Sequence, residues 1–336
     1  YKMTDSLVTD PATGSTTGLM NIESRSWDEG IIRRAGLDKN ILPRLLYPNE
    51  VAGKVTKEAS KEIGFLEGTP VLCGCGDAGA TTMGAGAIRE GDSYIYLGTT
   101  GWVAFPSTPS KLERTNVFTL THLPKDLYIS IVPLLNVGNV HQWAIDSFID
   151  YPVENKYEEF EKLVKRTEPG AGGVLCLPYL QGERGHIQDH EARGAFWGIH
   201  SQTKKEHLLR AVIEGLCLSM RQALEVLMPQ KNGSLTIIGG GTKSRVWCQC
   251  LADVLGRTIA VTKDSEYLPA IGAAAPAFIY LGWAESYEEF ADRYVKDGEN
   301  TKEYKPIEEH VYLYQNLYEK FNKLYPNLRN VYNDEN

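Results

Sequence analysis

At 336 residues, 42% of them hydrophobic, the chain exceeds one typical hydrophobic core, so two domains, or one large and one partial, are expected. No unbroken apolar stretch reaches membrane length, and the formal net charge of -8 disfavours a nucleic-acid or anionic-membrane surface, which points to a soluble globular protein. An anionic ligand would have to be held by local dipoles and a metal ion, not by a basic face.

Residues 1 to 30 are rich in Thr, Ser, Asp and Gly and read as loops and short strands. Helical composition appears at 28 to 36 and 56 to 64, with Leu37 to Glu50 a Pro-punctuated connection between them. A boundary is placed near Phe65 to Gly68. Beyond it, the short apolar run Val71 to Cys75 ends in Gly76-Asp77, and small residues suited to a closely packed helix follow. Gly91-Asp92 turns the chain, Ser93 to Leu97 is β-rich, and Gly98-Thr99-Thr100-Gly101 is a hairpin tip leading to a second arm, Trp102 to Phe105. Such a tip brings backbone N–H groups and hydroxyls close to a phosphate, and the aspartate at a strand end can accept a proton from a substrate hydroxyl. Those are parts that phosphoryl transfer needs. Each motif alone also fits an ordinary turn.

Strand-like runs at Val117 to Leu123 and Leu127 to Leu135 lead to Gly138 and a helix through Trp143 to Ile149. Glu154 to Lys165 reads as a solvated helix, not a binding surface. Ala171-Gly172-Gly173 precedes a strand, Val174 to Leu177, and a loop, Pro178 to Arg184, where Glu183 and Arg184 read as a structural pair. Thr203 and Glu206 match a capping box. Leu208, Leu209, Val212, Ile213, Leu216, Met220, Ala223, Leu224 and Leu227 then recur at helical spacing through Met228, which predicts a helix with one buried face ending before Pro229, then a turn at Lys231-Asn232-Gly233.

Leu235 to Ile238 is a β-branched strand running into Gly239-Gly240-Gly241-Thr242-Lys243-Ser244, with a helix from Val246 to Leu255 behind it. Strand, glycine loop and helix bring backbone close to a nucleotide, and three glycines equally make a tight structural turn. Ile259 to Thr262 is a further strand. Gly272-Ala273-Ala274-Ala275 begins a helix suited to close packing on the glycine-loop layer. A stripe at Val311, Tyr314, Leu317, Tyr318, Phe321, Leu324 and Tyr325 predicts a core-facing helix between Pro306 and Pro326. Six cysteines, Cys73, Cys75, Cys176, Cys217, Cys248 and Cys250, include two Cys-x-Cys pairs. Each pair lies in an apolar or helical run without histidine in register, so buried free thiols in a reducing cytoplasm are expected.

Taken together these motifs resemble the FGGY carbohydrate kinases of the actin, sugar kinase and heat-shock ATPase superfamily. Gly194-Ala195-Phe196-Trp197-Gly198-Ile199, then His207-Leu208 and Ala211-Val212-Ile213-Glu214, is similar to that family's second signature. Pro178 to Arg184 with Ala192-Arg193-Gly194 is similar to its Pro-Tyr-Leu-x-Gly-Glu-Arg segment, and Gly239 to Ser244 with Trp247, Gln249 and Ala252-Asp253 to its adenosine-binding motif. Met3-Thr4, Val8-Thr9-Asp10, Thr17-Gly18-Leu19 and Trp27 resemble the segment closing the family's first domain.

The resemblance implies an α/β, actin-like ATPase (ribonuclease H-like) fold, a mixed sheet with flanking helices, with the second domain complete and the first partly present. Residues 1–67 would be the end of the sugar-binding domain, 68–305 the ATP-binding domain and 306–330 a C-terminal helix. It implies ATP and Mg²⁺, a sugar substrate and a cytoplasmic enzyme, and is compatible with a homodimer. Asp77 falls on the catalytic base, Ala78 beside the sugar, Gly98, Thr99 and Thr100 on the phosphate loop, and Gly239, Gly240, Gly241 and Ser244 on the adenosine site. The family's Asp-x-Gly-Thr-Thr phosphate loop and first signature have no counterpart, so a piece of a longer kinase is expected. D-xylulose is the favoured substrate, although Ala78 stands where Asn or Gln is common. A gluconate, glycerol or other polyol kinase, an inactive fragment, and a nucleotide-driven assembly or chaperone protein are the alternatives.

Overall fold

The computed structural model describes residues 1–108, 117–227, 235–296 and 301–333. Its N-terminal part comprises β1 (Val8–Thr9), α1 (Pro11–Ser15), β2 (Met20–Asn21), β3 (Ser26–Trp27), α2 (Glu29–Arg34), β4 (Arg44–Leu45), β5 (Val51–Lys54), α3 (Lys57–Ile63), β6 (Pro70–Leu72) and α4 (Asp77–Gly84). Next come β7 (Tyr94–Leu97), β8 (Gly101–Ser107), β9 (Phe118–Thr121), β10 (Tyr128–Leu134), α5 (Gly138–Phe148), α6 (Lys156–Val164), β11 (Leu175–Leu177) and β12 (Ala195–Trp197). The remainder is α7 (Lys205–Leu227), β13 (Leu235–Ile238), α8 (Arg245–Leu255), β14 (Ile259–Thr262), α9 (Leu268–Tyr280), α10 (Tyr287–Tyr294), β15 (Thr301–Tyr304) and α11 (Glu308–Asn333).

Seven strands form one mixed sheet in the order β15-β14-β13-β7-β8-β10-β9. Strand β13 runs parallel to both β7 and β14, whereas the β7-β8-β10-β9 meander and the β14-β15 pair are antiparallel. The parallel pairing sends the ends of β7 and β13 out of the same edge of the sheet. In the N-terminal part, β5 pairs with β6, Lys54 opposite Pro70, across the loop at 65–68.

Helix α7 is buried almost all round, not on one face: Glu214, Gly215, Cys217, Leu218 and Ser219 are as inaccessible as Leu209, Val212 and Leu216. The chain crosses β11 so closely that a methyl group on Gly215 would lie 2.1 Å from the Cys176 carbonyl. Its start also differs from the capping box expected at Thr203 and Glu206. Lys204 N–H donates to His207 Nδ1 (2.9 Å), Thr203 Oγ1 faces back to accept from His200 N–H (3.0 Å), and Glu206 pairs with Arg166. The helix end near Met228 and Pro229 and the turn at Lys231-Asn232-Gly233 lie outside the described residues.

Small residues allow a second close crossing, between α4 and α9. A methyl on Gly84 would sit 2.0 Å from the Leu268 carbonyl, and one on Gly272 2.0 Å from the Ala80 carbonyl. The small-residue helix therefore makes its close crossing with α4, while Leu268 at its start shares a buried cluster with Ile238 ahead of the glycine loop. Helix α11 continues through Pro326, where sequence rules would stop it. Leu328 packs on the core, Arg329 pairs with Asp189, and Tyr325 OH donates to Asp189 (2.6 Å), so tertiary contacts outweigh the lost backbone hydrogen bond. Glu183 and Arg184 do not pair: Glu183 is buried, accepting from Leu135 N–H, Asn136 Nδ2–H and Arg184 N–H, while the Arg184 side chain is exposed.

Candidate active site

Because Tyr96 of β7 and Ile238 of β13 are register partners in a parallel pair, the turns after the two strands emerge side by side. Ligands of open α/β sheets bind at such carboxyl ends. Gly239 adopts φ +97° and ψ 174°, a region closed to side chains, and lies directly on β7: an added methyl would be 2.7 Å from the Leu97 carbonyl. Gly241 is similarly crowded by the Leu97 side chain, whereas nothing lies within 4 Å of a methyl built on Gly240. The β7–β8 hairpin tip is fastened by the first turn of α5. Gly138 N–H and Asn139 N–H donate to the Gly98 and Thr99 carbonyls (3.0 and 2.9 Å), and Thr99 and Thr100 remain exposed.

Both turns open on one cavity of about 1030 Å³, lined by Tyr96, Gly98 and Thr99 from the hairpin and by Gly240, Gly241, Ser244 and Trp247 from the glycine turn and α8. Gly138, His141 and Gln142 of α5 and Asn155, Tyr157, Glu158 and Glu161 at α6 complete the wall. The Glu154 to Lys165 segment is therefore a wall of the cavity and not only a solvated helix. Ser244 caps α8 by accepting from Trp247 N–H (3.1 Å) and donates to Glu161, joining α8 to α6. His141 stands edge-on to Phe160 and Trp247 (centroids 4.5 and 5.2 Å), and burial lowers its pKa to about 4, so the wall there is neutral. Lys243, also on the lining, is paired with Glu266 at 2.7 Å. Gln249 and Asp253 face elsewhere: Asp253 accepts from Ile307 N–H and His310 Nδ1, both at 2.9 Å, tying α8 to α11.

Asp77 is the first residue of α4, exposed, with Oδ1 accepting its neighbour's amide at Ala78 (2.8 Å). It does not line the cavity. Ala78, Tyr96 and Trp102 all pack against the buried cluster that contains Tyr94. Tyr96 and Trp102 are stacked at 4.2 Å, and Tyr94 OH bonds Thr82 Oγ1 (2.9 Å) and Trp102 Nε1–H (2.8 Å), linking α4 to the hairpin. Burial pushes the Tyr94 pKa up to about 12, and the charge of Asp77 acts in the same direction.

The loop before Asp77 is held by Asp10, a residue of the segment that resembles the end of the first domain. Asp10 is 4% exposed. Its Oδ2 caps α1 at Ala12 N–H and Thr13 N–H (2.9 and 3.2 Å), and its Oδ1 accepts from Thr13 Oγ1–H and Gly76 N–H (2.5 and 3.2 Å). The sequence signal was Asp10-Pro11, an N-cap followed by proline at the first helical position. Cys73 and Cys75 flank the same loop, half-buried and not buried as expected. Desolvation raises their pKa values to about 11 and about 12, with Asp10 adding to it, so both stay protonated thiols. Among the described residues no three His, Cys, Asp or Glu are grouped to hold a metal ion, and no helix is long and apolar enough to cross a membrane.

A mixed sheet whose parallel strand ends deliver two glycine turns to one cavity has the arrangement in which open α/β folds bind their ligands. Residues 93–281 match the FGGY family of carbohydrate kinases, C-terminal domain, and residues 1–84 match that family's N-terminal domain. The chain belongs to the FGGY family of carbohydrate kinases and has its actin-like ATPase fold. It is 27% identical to the xylulose kinase of Bacillus subtilis (strain 168), over 98% of this chain and 66% of that one. It is 29% identical to the gluconokinase of the same strain, over 97% of this chain and 64% of that one. The ligand-bound xylulose kinase structure from Lactobacillus acidophilus superposes with a TM-score of 0.88 at 25% identity, covering 99% of this chain and 67% of that one. The chain thus spans about two thirds of the length of the curated relatives it matches.

Proposed function

We propose that this chain carries the ATP-binding and proton-accepting parts of an ATP-dependent kinase that phosphorylates a sugar hydroxyl. The observation carrying this reading is the single cavity shared by the threonine hairpin and the triple-glycine turn. Adenosine lies against Gly240, Gly241 and Ser244, over the turn that Gly239 sets on β7. Gly98, Thr99 and Thr100 hold the β- and γ-phosphates with tip amides and hydroxyls, whose orientation is supported by the carbonyl bonds to α5. Asp77 takes the proton of the sugar hydroxyl as its oxygen attacks the γ-phosphorus and the bond to the ADP oxygen breaks. Its Oδ2, for which no hydrogen bond is found among the described residues, is the acceptor, and Ala78 lies beside the sugar. The family resemblance implies Mg²⁺. Among the described residues no three His, Cys, Asp or Glu are grouped to hold such an ion.

D-xylulose is the first substrate to test, and gluconate the second, because a gluconokinase is as similar as the xylulose kinases. Coupled ADP-release assays on the full-length protein with D-xylulose, gluconate and glycerol would rank them. Asp77→Asn is expected to lower the rate with the best sugar by about 10³-fold, the range of a lost general base, with ATP affinity unchanged. Full activity in that variant would end the reading.

A further inference from the structure

We propose that Tyr96 is a further catalytic residue, its phenol donating a hydrogen bond to the terminal phosphoryl group of the nucleotide. This rests on the reading that the cavity takes ATP with its phosphates at the hairpin. Two tyrosines on β7 point to the same side of the strand, and their hydroxyls have different fates. Tyr94 is fully buried, and its OH is occupied by Thr82 and Trp102. Tyr96 is half-buried, lines the cavity, and its OH has no hydrogen bond among the described residues.

The position of that hydroxyl is fixed from three sides. The ring is stacked on Trp102 at 4.2 Å with 17° between planes. It packs against the buried cluster that includes Tyr94 and Ala104. It also fills the space beside Gly98, where an added methyl would lie 2.4 Å from its Cε1 and 2.9 Å from its OH. The phenol thus sits beside the phosphate hairpin, on the wall of the cavity proposed to take the nucleotide. A phenol is a neutral donor there, and one hydrogen bond to a charged phosphoryl oxygen strengthens as negative charge gathers on it.

Tyr96→Phe keeps the ring, the Trp102 stack and the contact with Gly98, and removes only the donor. Isothermal titration of the full-length protein with β,γ-imido-ATP and with ADP tests the assignment. The variant should bind β,γ-imido-ATP about tenfold more weakly, the worth of one charge-assisted hydrogen bond, and ADP within about twofold of wild type. Its thermal midpoint should be unchanged. Unchanged binding of both ligands, or equal loss of both with a lowered midpoint, would overturn the role of Tyr96 and leave the nucleotide site standing. A wild-type protein that binds neither ligand would overturn both.

Discussion

The hairpin tip and the triple-glycine turn are neighbours on Leu97, yet their glycines answer to different demands. At the hairpin, Gly98 makes room for the Tyr96 ring, and Gly101 lets the Tyr96 carbonyl and Val137 approach within 2.5 and 2.9 Å of an added methyl. In the turn, Gly239 and Gly241 are shaped by Leu97, and Gly240 alone of the three faces open space. A glycine-rich motif is thus a mixture: most of its members are pressed by the strand or ring beside them, and Gly240 leaves room for a side chain.

The sharpest way to break that comparison is alanine at adjacent positions. Gly239→Ala forces a side chain into φ +97° and against the Leu97 carbonyl, and should cost about 3 kcal/mol in chemical denaturation. Gly240→Ala should change stability by less than about 0.5 kcal/mol, as for a surface substitution, and show its effect in weaker nucleotide binding by calorimetry. Equal destabilisation by both would mean the turn is structural throughout.

A smaller effect compares the cavity wall with the rest of the core. Burial lowers the pKa values of His122, His141 and His186 to about 4. An unfolded histidine takes a proton near 6.5 and these resist until about 4, so stability is lost as pH falls across that interval, by about 1 kcal/mol per histidine at pH 5.5. Glu183 and Glu214, raised by burial, oppose this, because their protonation favours the folded state above 4.5. His141→Phe should flatten the slope of melting temperature against pH between 6.5 and 5, and an unchanged slope would exclude His141 from it.

The sheet, the two turns and most helices were legible because alternation and helical spacing report burial directly. What was misread shares one cause: sequence patterns report polarity, not what the polar face meets. Asn155, Tyr157, Glu158 and Glu161 look solvated because a polar cavity and water select the same side chains. Thr203 and Glu206 have the letters of a cap whose place His207 takes, and Pro326 is overridden by packing of residues beyond it. Gly272 announced a close crossing without saying that its partner was α4. Asp10 could be recognised as a cap, but its bond to Gly76 spans 66 residues and needed the fold.

The central claim is that one cavity receives a nucleotide with its phosphates at the hairpin and its adenosine at the glycine turn. A crystal structure of the ADP complex measures this directly. The account predicts phosphate oxygens within hydrogen-bond distance of Thr99 or Thr100 and the adenosine against Gly240 and Ser244. ADP bound outside this cavity, or lying in it with the ends reversed, would contradict it.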